Sequence, residues 1–540
     1  MTYYGITIGP VVDTLMMSSK PLGLWFSSYL FSEFSRRICQ EVQQLAGTEL
    51  LVPHFSDDER SGQVSAVGMY PDQKVQQLAG TELLVPYFSD DERSGQVSAV
   101  GMYPDRIIFS SPADEIAVRE AVERVRDDMD DLLVGNAKNL LPSNYLYYHL
   151  VKLDRTDLEG QALIRQISSA LDSMELNAPY LDGALVTRVR KFVSENEKIK
   201  LSPLFSNCQT SLRTDLGLLG EKDKVRSLEQ ICQNGVVDVA NRKTSKYYAI
   251  IQADGDGVGK HIQNLTTNQD IKEFSEKMFD YAGGLTQLVK GYGASLIYAG
   301  GDDLLVLAPM KQSVGRTIFD LCKEINAAFR KAFDERVSIS FGISIFYYKY
   351  PLYEAFKNAQ YQLFGQAKQV KGKKCISLYL QKHSGQSLQL LVKHDWSTVM
   401  LTKLANNDEV LQHSVTATVD TFQANNLFDF LLAQAKEDAS DEEVNRSILF
   451  HLLKNRFAVE FALKQSIATN DTSYVTNFIS NYFNHSTQKQ GSAQQMIQYL
   501  QVLVTSLLEL PDFQSDEKKI YDFLINLLRF RKFLVEKGAE

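Results

Sequence analysis

Two short acidic stretches fix what the middle of this chain can fold into. One is Ala253-Asp254-Gly255-Asp256-Gly257-Val258-Gly259-Lys260 and the other is Ala299-Gly300-Gly301-Asp302-Asp303-Leu304. Each follows an apolar, β-prone run, Tyr247-Tyr248-Ala249-Ile250-Ile251 in the first case and Leu296-Ile297-Tyr298 in the second. That context sets the acids at strand ends rather than on a solvated helix. Gly300-Gly301 between apolar runs is a hairpin signal, because glycine accepts the positive φ of tight turns, so Asp302 and Asp303 sit at its tip. With the Asp254 strand beside that hairpin, four carboxylates converge, an unfavourable crowd of like charge. Divalent cations relieve it, and a carboxylate-held metal pair is what phosphoryl and nucleotidyl transfer require.

A chain of 540 residues implies about three or four domains, and 44% hydrophobic residues is ample for their cores. The net charge of -9 argues against gripping nucleic acid alone through a broad basic face, while a nucleotide arriving with its own metal is compatible. Cys39, Cys208, Cys232, Cys322 and Cys375 are scattered with no CxxC pair, which points to a reducing cytoplasm rather than a disulfide framework. No run approaches the ~20 apolar residues of a membrane span, and no signal peptide is expected.

Residues 42–72 recur as 75–105 at an offset of 33, with His54 replaced by Tyr87. Two near-identical copies are too few for a solenoid. They read as a tandem duplication, natural or artefactual, of which only one copy fits the fold while the other is looped out. The Ser-Asp-Asp-Glu in each copy (56–59 and 89–92) reads as a polar loop, since no apolar strand delivers it to a cleft.

The pattern predicts an α+β chain: two α/β units, the second of ferredoxin-like palm type, a mainly helical segment between them and a C-terminal helical bundle. The first unit spans 1–135, with strands at 4–8, 49–52 (or its copy) and 106–109 and helices over 24–38 and 114–133. Residues 136–243 are mainly helical. Over 244–385 the order is a strand to Asp254, a helix over 271–290, the Gly-Gly hairpin, a helix over 313–333, a strand over 338–346, a helix over 352–369 and a strand over 375–380. Its βαββαβ core is the palm-type arrangement. Residues 386–540 carry repeated apolar stripes, such as 520–533, and predict a helical bundle.

Asp254 with Asp302 or Asp303 are the candidate catalytic metal ligands, and Asp256 is a further candidate. The cations, two Mg2+ or Mn2+ per active palm, would polarise the α-phosphate of a nucleoside triphosphate, activate a ribose hydroxyl and neutralise departing pyrophosphate. Backbone at Gly255, Gly257 and Gly259 can approach phosphates closely, as can Gly300 and Gly301, with Lys260 alongside. Lys368 and Lys373 are candidate triphosphate counter-charges, and Ser340 is a candidate for base or ribose unless it is simply a buried strand serine. A P-loop is excluded: residues 255–260 read one position short, and His261 stands where Ser or Thr is required.

With these residues in view, the chain resembles the large, polymerase-like subunit of type III CRISPR effector complexes, in particular the type III-B form. The features are Ile8-Gly9-Pro10-Val11, then Leu24-Trp25-Phe26-Ser27-Ser28-Tyr29-Leu30, Tyr103-Pro104-Asp105-Arg106-Ile107 and the two acidic motifs. Ser338-Ile339-Ser340-Phe341-Gly342-Ile343, Tyr350-Pro351-Leu352-Tyr353-Glu354-Ala355, Ala367-Lys368 and Gly372-Lys373 follow. The resemblance implies two packed ferredoxin-like palm (nucleotide cyclase-like) domains with a helical inter-palm domain, and an ATP-using cyclic oligoadenylate synthetase switched on when a guide-bearing complex pairs with foreign RNA. It also implies sister subunits, guide RNA and target RNA as partners and no membrane. Three departures follow. No N-terminal HD nuclease domain is expected, because the first palm strand starts at Tyr3 and His394-Asp395 has no companion histidines nearby. Zinc is not expected between the palms, where Cys208 and Cys232 are too few for four tetrahedral ligands. Gly9-Pro10-Val11 stands where the first palm would need its acid, so that palm is expected to be catalytically empty. The competing readings are a stand-alone cyclase of the diguanylate type, against which Asp303 is followed by Leu304, and a silent scaffold subunit.

Overall fold

The computed structural model describes residues 2–52, 100–134, 145–154, 158–176, 179, 183–233, 237–238, 243–244, 246–262, 264–310, 312, 316–333, 337–393, 439–484, 491–513 and 516–536. The first unit runs β1 (Thr2–Gly9), α1 (Val11–Met16), α2 (Pro21–Gln43), β2 (Glu49–Val52), β3 (Arg106–Ser111), α3 (Glu115–Val134) and β4 (Tyr147–Leu153). Its sheet is antiparallel in the order β2-β3-β1-β4, the ferredoxin-like order. α2 starts with Pro21 in its first turn, where proline's missing N–H costs nothing. Asp114 caps α3, accepting from the Ala117 amide at 2.8 Å. β4 lies beyond the boundary drawn at 135 from sequence. The alternation of Tyr147, His149, Val151 and Leu153 is a strand period, and β4 closes the sheet against β1. Four helices follow, α4 (Gly160–Glu175), α5 (Gly183–Ser194), α6 (Asn196–Ile199) and α7 (Pro203–Thr214), with α8 (Leu228–Gln233) and a short hairpin of β5 (Val237–Asp238) and β6 (Lys243–Thr244). α4 covers β1 and β4 through Leu163, Ile167 and Leu171.

The second unit runs β7 (Tyr247–Asp256), α9 (Val258–Ile262), α10 (Asn268–Gly291), β8 (Ser295–Gly300), β9 (Asp303–Pro309), α11 (Ile318–Ala332), β10 (Ser338–Tyr347), α12 (Leu352–Gln360), β11 (Cys375–Gln381) and β12 (Ser387–Lys393). The sheet order is β12-β11-β10-β7-β9-β8, all antiparallel except β10 with β11. Its β10-β7-β9-β8 core repeats the first palm's order. Thr267 with Asp270 and Thr317 with Asp320 form capping boxes. The second starts α11 at Ile318 rather than 313, since its reciprocal bonds define the first turn. The helix expected over 352–369 ends at Gln360 and continues as one wider π turn (Tyr361–Gln366) and one 3-10 turn (Ala367–Gln369). β12 extends the sheet past 385, where a helical domain had been expected to begin. Alternating Leu388, Leu390 and Val392 are its buried face.

The two palms dock reciprocally: α2 packs on β8 of the second palm and α10 packs on β2 of the first. Gly101 bridges Tyr298, and the Ala299 amide donates to the Gly101 carbonyl at 3.0 Å, so the segment before β3 lies along the outer edge of β8. Tyr103 packs edge-on against Phe279 at 5.4 Å. Helices α13 (Ala439–Lys454), α14 (Arg456–Thr469), α15 (Ser473–Asn484), α16 (Gly491–Glu509) and α17 (Glu517–Glu536) complete the chain. α17 packs on β12, with Phe533 against Tyr247 at 4.9 Å and Lys393 paired with Asp512 at 2.8 Å. Among the described residues no helix is long and apolar enough to cross a membrane.

β2 comes from the first copy of the repeat, and the stretch 100–105 that leads into β3 comes from the second. The residues between, including both Ser-Asp-Asp-Glu segments, lie outside the described residues, as does His394-Asp395. Because the copies match, excising any block of 33 residues that begins between positions 42 and 73 leaves the same sequence apart from His or Tyr at one position. Such a deletion should leave the melting temperature within a few degrees of the full chain's, since shortening a loop changes closure entropy only slightly. A large fall would mean that both copies are structural.

Candidate functional site

β7 is the central strand of the second palm, and its C-terminal end carries the chemistry. Ala253 pairs with Leu304 of β9 and Ser340 of β10 pairs with Asp254, so Asp254 and Asp303 stand side by side where the two strands end. Their carboxyl groups are within hydrogen-bonding reach, which two ionised carboxylates tolerate only with a proton or cation between them. Gly301 holds φ at +65° in the turn of the hairpin, a conformation that favours glycine. Asp302 folds back onto Gly255, so closely that a Cβ there would stand 2.7 Å from Asp302 Oδ2. The Gly255 backbone amide donates to the Asp302 carboxylate. Glycine at 255 is thus what lets the hairpin close on the strand.

Crowding by protein, then the Asp254 charge, pushes the Asp302 carboxyl up to about 6. Asp303 is raised well above the carboxylate range by desolvation, then by Asp302, Asp254 and Asp105. Water still reaches Asp303, whose side chain is exposed, and Asp254 and Asp302 are half-buried, so the carboxylate group is open to solvent on this side. Behind it lies Tyr281, its hydroxyl buried without a partner and raised by burial and then by Asp302.

Asp256 is arranged differently from the other acids. Its Oδ2 accepts from Ser338 Oγ at 3.0 Å, Ser340 Oγ at 2.6 Å and the Lys374 amide at 3.0 Å. Its Oδ1 lies 2.9 Å from Lys368 Nζ. Both oxygens are therefore committed to protein, and Asp256 ties the 368–374 loop to β7 rather than joining the other acids. Ser340 is fully buried in β10 and its hydroxyl donates to Asp256. Lys368 Nζ also pairs with the Asp254 carboxylate and donates to the Asp254 and Gly255 carbonyls at 2.8 and 2.6 Å. It is the internal counter-charge of the site. Gly257 and Gly300 flank the two strand ends, Gly259 lies within α9, and Lys260 and Lys373 are exposed at the rim.

Of the four carboxylates expected to converge, Asp254 and Asp303 stand together, Asp302 is folded onto Gly255, and Asp256 is turned away. Among the described residues no three His, Cys, Asp or Glu side chains close around one point. The oxygen-only donors Asp254, Asp302 and Asp303 fit hard cations such as Mg2+ or Mn2+, which take few protein carboxylates and complete their shell with water and substrate phosphate. Sequence reasoning assigned no role to Asp105. The reciprocal docking places this first-palm acid where it raises Asp303 and, after burial and Asp303, Tyr298. Its own carboxyl is raised by desolvation and, against the pull of Arg106, by Glu175. The signal available was its position in Tyr103-Pro104-Asp105-Arg106, one residue before β3.

Two ferredoxin-like sheets docked strand to helix, one of them carrying a carboxylate hairpin, define a double-palm protein. Residues 247–377 match the family model of the Cas10/Cmr2 second palm domain, and residues 3–134 match that of the CRISPR-associated protein Cmr2 N-terminal region. The chain is 28% identical over 196 residues to the CRISPR system Cmr subunit Cmr2 of Pyrococcus furiosus, a match covering 31% of this chain and 22% of that protein. A Csm1-Csm4 cassette in complex with cA4 has a similar fold, with 10% identity and a TM-score of 0.50 over 99% of this chain and 70% of that one. The cassette in complex with pppApA gives 11% identity and a TM-score of 0.46 over 93% of this chain and 69% of that one. Over its two palm regions the chain is thus similar to the Cas10/Cmr2 large subunits of type III CRISPR complexes, and its match spans less than a quarter of the curated relative's length.

Acids whose folded pKa lies above the unfolded value hold more protons when folded. In the metal-free protein Asp302 places a loss of stability between about pH 4 and about 6 as pH rises, and Asp303, raised well above its ordinary value, adds to it in the same direction. A divalent cation that favours the ionised carboxylates should therefore raise the melting temperature more near pH 7.5 than near pH 5. Asp303→Asn should shrink the difference. Equal shifts at both pH values in thermal-shift measurements would contradict the assignment.

Proposed function

We propose that this chain is the nucleotidyltransferase subunit of a type III CRISPR ribonucleoprotein, converting ATP into a cyclic oligoadenylate when the complex holds target RNA. The observation that carries the reading is the Asp254–Asp303 carboxylate pair, opened to solvent on one side and backed by Lys368 on the other. The two family-model matches support the palm assignment, and the cassette of similar fold in complex with cA4 is in keeping with this class of product. Sister subunits, guide RNA and target RNA are the partners under this reading. The cytoplasm is its compartment, in keeping with five cysteines that are all unbridged and buried.

Mg2+ or Mn2+ bound by Asp254, Asp302 and Asp303 would supply the Lewis acidity that activates a ribose hydroxyl and stabilises pyrophosphate. The chain's own groups do the rest. Gly255 and Gly301 set the backbone so that Asp302 stays fixed on the strand. Lys368 holds the Asp254 carboxylate in place, and Asp256 with Ser338 and Ser340 anchors the loop bearing Lys373. Exposed Lys373 and Lys260 are the groups placed to meet triphosphate oxygens at the rim. Pre-set charge of this kind lowers the barrier because nothing must reorganise as charge develops.

Asp302→Ala with Asp303→Ala should abolish product from labelled ATP in the assembled complex with target RNA, while assembly and RNA binding survive. Metal and electrostatic stabilisation each contribute several kcal/mol, at roughly tenfold in rate per 1.4 kcal/mol. Asp254→Ala should do the same, and Lys373→Ala should chiefly raise the KM for ATP. Near-normal product from the double variant would remove the palm assignment. No product from the wild-type complex with target RNA, with ATP or GTP, would leave a scaffold.

A further inference from the structure

From Ala355 to His394 the chain contains seven lysines and no Asp or Glu, although the whole protein carries a net charge of -9. This segment forms most of α12, the π and 3-10 turns that follow it, and β11 and β12. Tyr353, Tyr361 and Phe364 are 43%, 54% and 45% exposed, and Lys357 and Lys371 are exposed as well. Tyr353, Lys357 and Tyr361 recur at steps of four along α12, which keeps them on one face, and Phe364 and Lys371 are exposed in the turns that follow. Tyr353 to Tyr361 spans about 12 Å of helix, and Lys368 beyond them has a buried side chain with its amine on the carboxylate site.

The Tyr361 ring is held rather than loose. Gln366 Nε2 donates to Tyr361 Oη at 2.8 Å, and the Tyr361 ring lies so close over Gly365 that a Cβ there would sit 2.8 Å from it. The wider π turn is what brings Tyr361 and Gln366 together, and such turns concentrate at functional sites. Gln369 Nε2 donates to the Phe364 carbonyl at 2.8 Å, which fixes the next turn. Gly372, Lys373 and Lys374 follow with φ of 88°, 52° and 54°, and the Lys374 amide is bound to Asp256. The lysine loop is thus tied directly to the catalytic strand.

We infer that this face binds single-stranded nucleic acid, with bases stacked on Tyr361 and Phe364 and phosphates met by Lys357 and Lys371. Fixed, exposed aromatic rings interleaved with cations are what sequence-tolerant single-strand binding uses. Protein interfaces are depleted in lysine, so the exposed Lys357 and Lys371 point away from a protein partner. Among the described residues no acidic side chain pairs with Lys357 or Lys371, and their charge is available to phosphate. The inference concerns a track outside the carboxylate site and stands whether or not the palm is catalytic.

Fluorescence anisotropy with labelled octa-adenylate RNA and the full chain tests it. The wild type should bind at low salt, and Tyr361→Ala with Phe364→Ala should weaken binding about tenfold or more without lowering the melting temperature. Tyr361→Trp should retain binding. Lys357→Gln or Lys371→Gln should each flatten the slope of log affinity against log salt by about 0.7. Octa-deoxyadenylate should bind comparably, since neither stacking nor phosphate contact reads the 2′-hydroxyl, and duplex RNA should bind less well. Asp302→Ala with Asp303→Ala should bind as the wild type does, which separates this inference from the catalytic reading. No binding by the wild type, equal binding of duplex, or full affinity in the aromatic double variant would overturn it.

Discussion

The structure depends on a charge conflict at the ends of β7 and β9. Asp254 and Asp303 meet there, with Asp302 folded onto Gly255, and nothing in ordinary packing would favour three carboxylates in that arrangement. The sheet tolerates it because β7 is held along its length between β10 and β9, so the strand ends cannot drift apart. The chain neutralises one side with Lys368 and leaves the other open. The break in the helix after Gln360 serves the same end. A continuous α-helix would place the following residues elsewhere, whereas the π and 3-10 turns bring Lys368 onto Asp254, Asp256 and two β7 carbonyls.

The reciprocal docking of the palms gives the first palm its part. Its own strand end at Gly9-Pro10-Val11 offers no carboxylate, yet its α2 packs on β8 and its segment at Gly101 lines that strand's outer edge. The hairpin carrying Asp302 and Asp303 is therefore supported from both domains. Gly101 is confined in turn: a Cβ there would stand 3.2 Å from Ser28 Oγ, 3.3 Å from Ser32 Cβ and 3.4 Å from the Tyr298 ring. Asp105 follows in the same segment and adds to the upward shift of Asp303. A palm without its own acid thus shapes the electrostatics of its neighbour.

The second palm was legible because two periodicities, a turn signal and a pair of carboxylates agree over a short span. Tyr247–Asp256, the Gly300-Gly301 hairpin and Ser338–Tyr347 each announce themselves locally. What was missed depends on distant contacts. β4 and β12 are short alternating strands whose partners, β1 and β11, decide whether they pair. Asp256 looked like the other acids from its Asp-Gly-Asp setting, but side chains from β10 and the backbone of the 368–374 loop claim its oxygens. Asp105 carried no local sign of its role, since its position follows from how the two palms meet.

The central claim is that Asp254 and Asp303 together hold a divalent cation. It is tested most directly by titrating the full chain with Mn2+ near neutral pH in the presence of ATP and following the free ion by electron paramagnetic resonance. The account predicts that the wild type removes free Mn2+ beyond what ATP alone takes up, and that Asp254→Asn and Asp303→Asn each lose most of that uptake. Uptake by both variants equal to that of the wild type would contradict it.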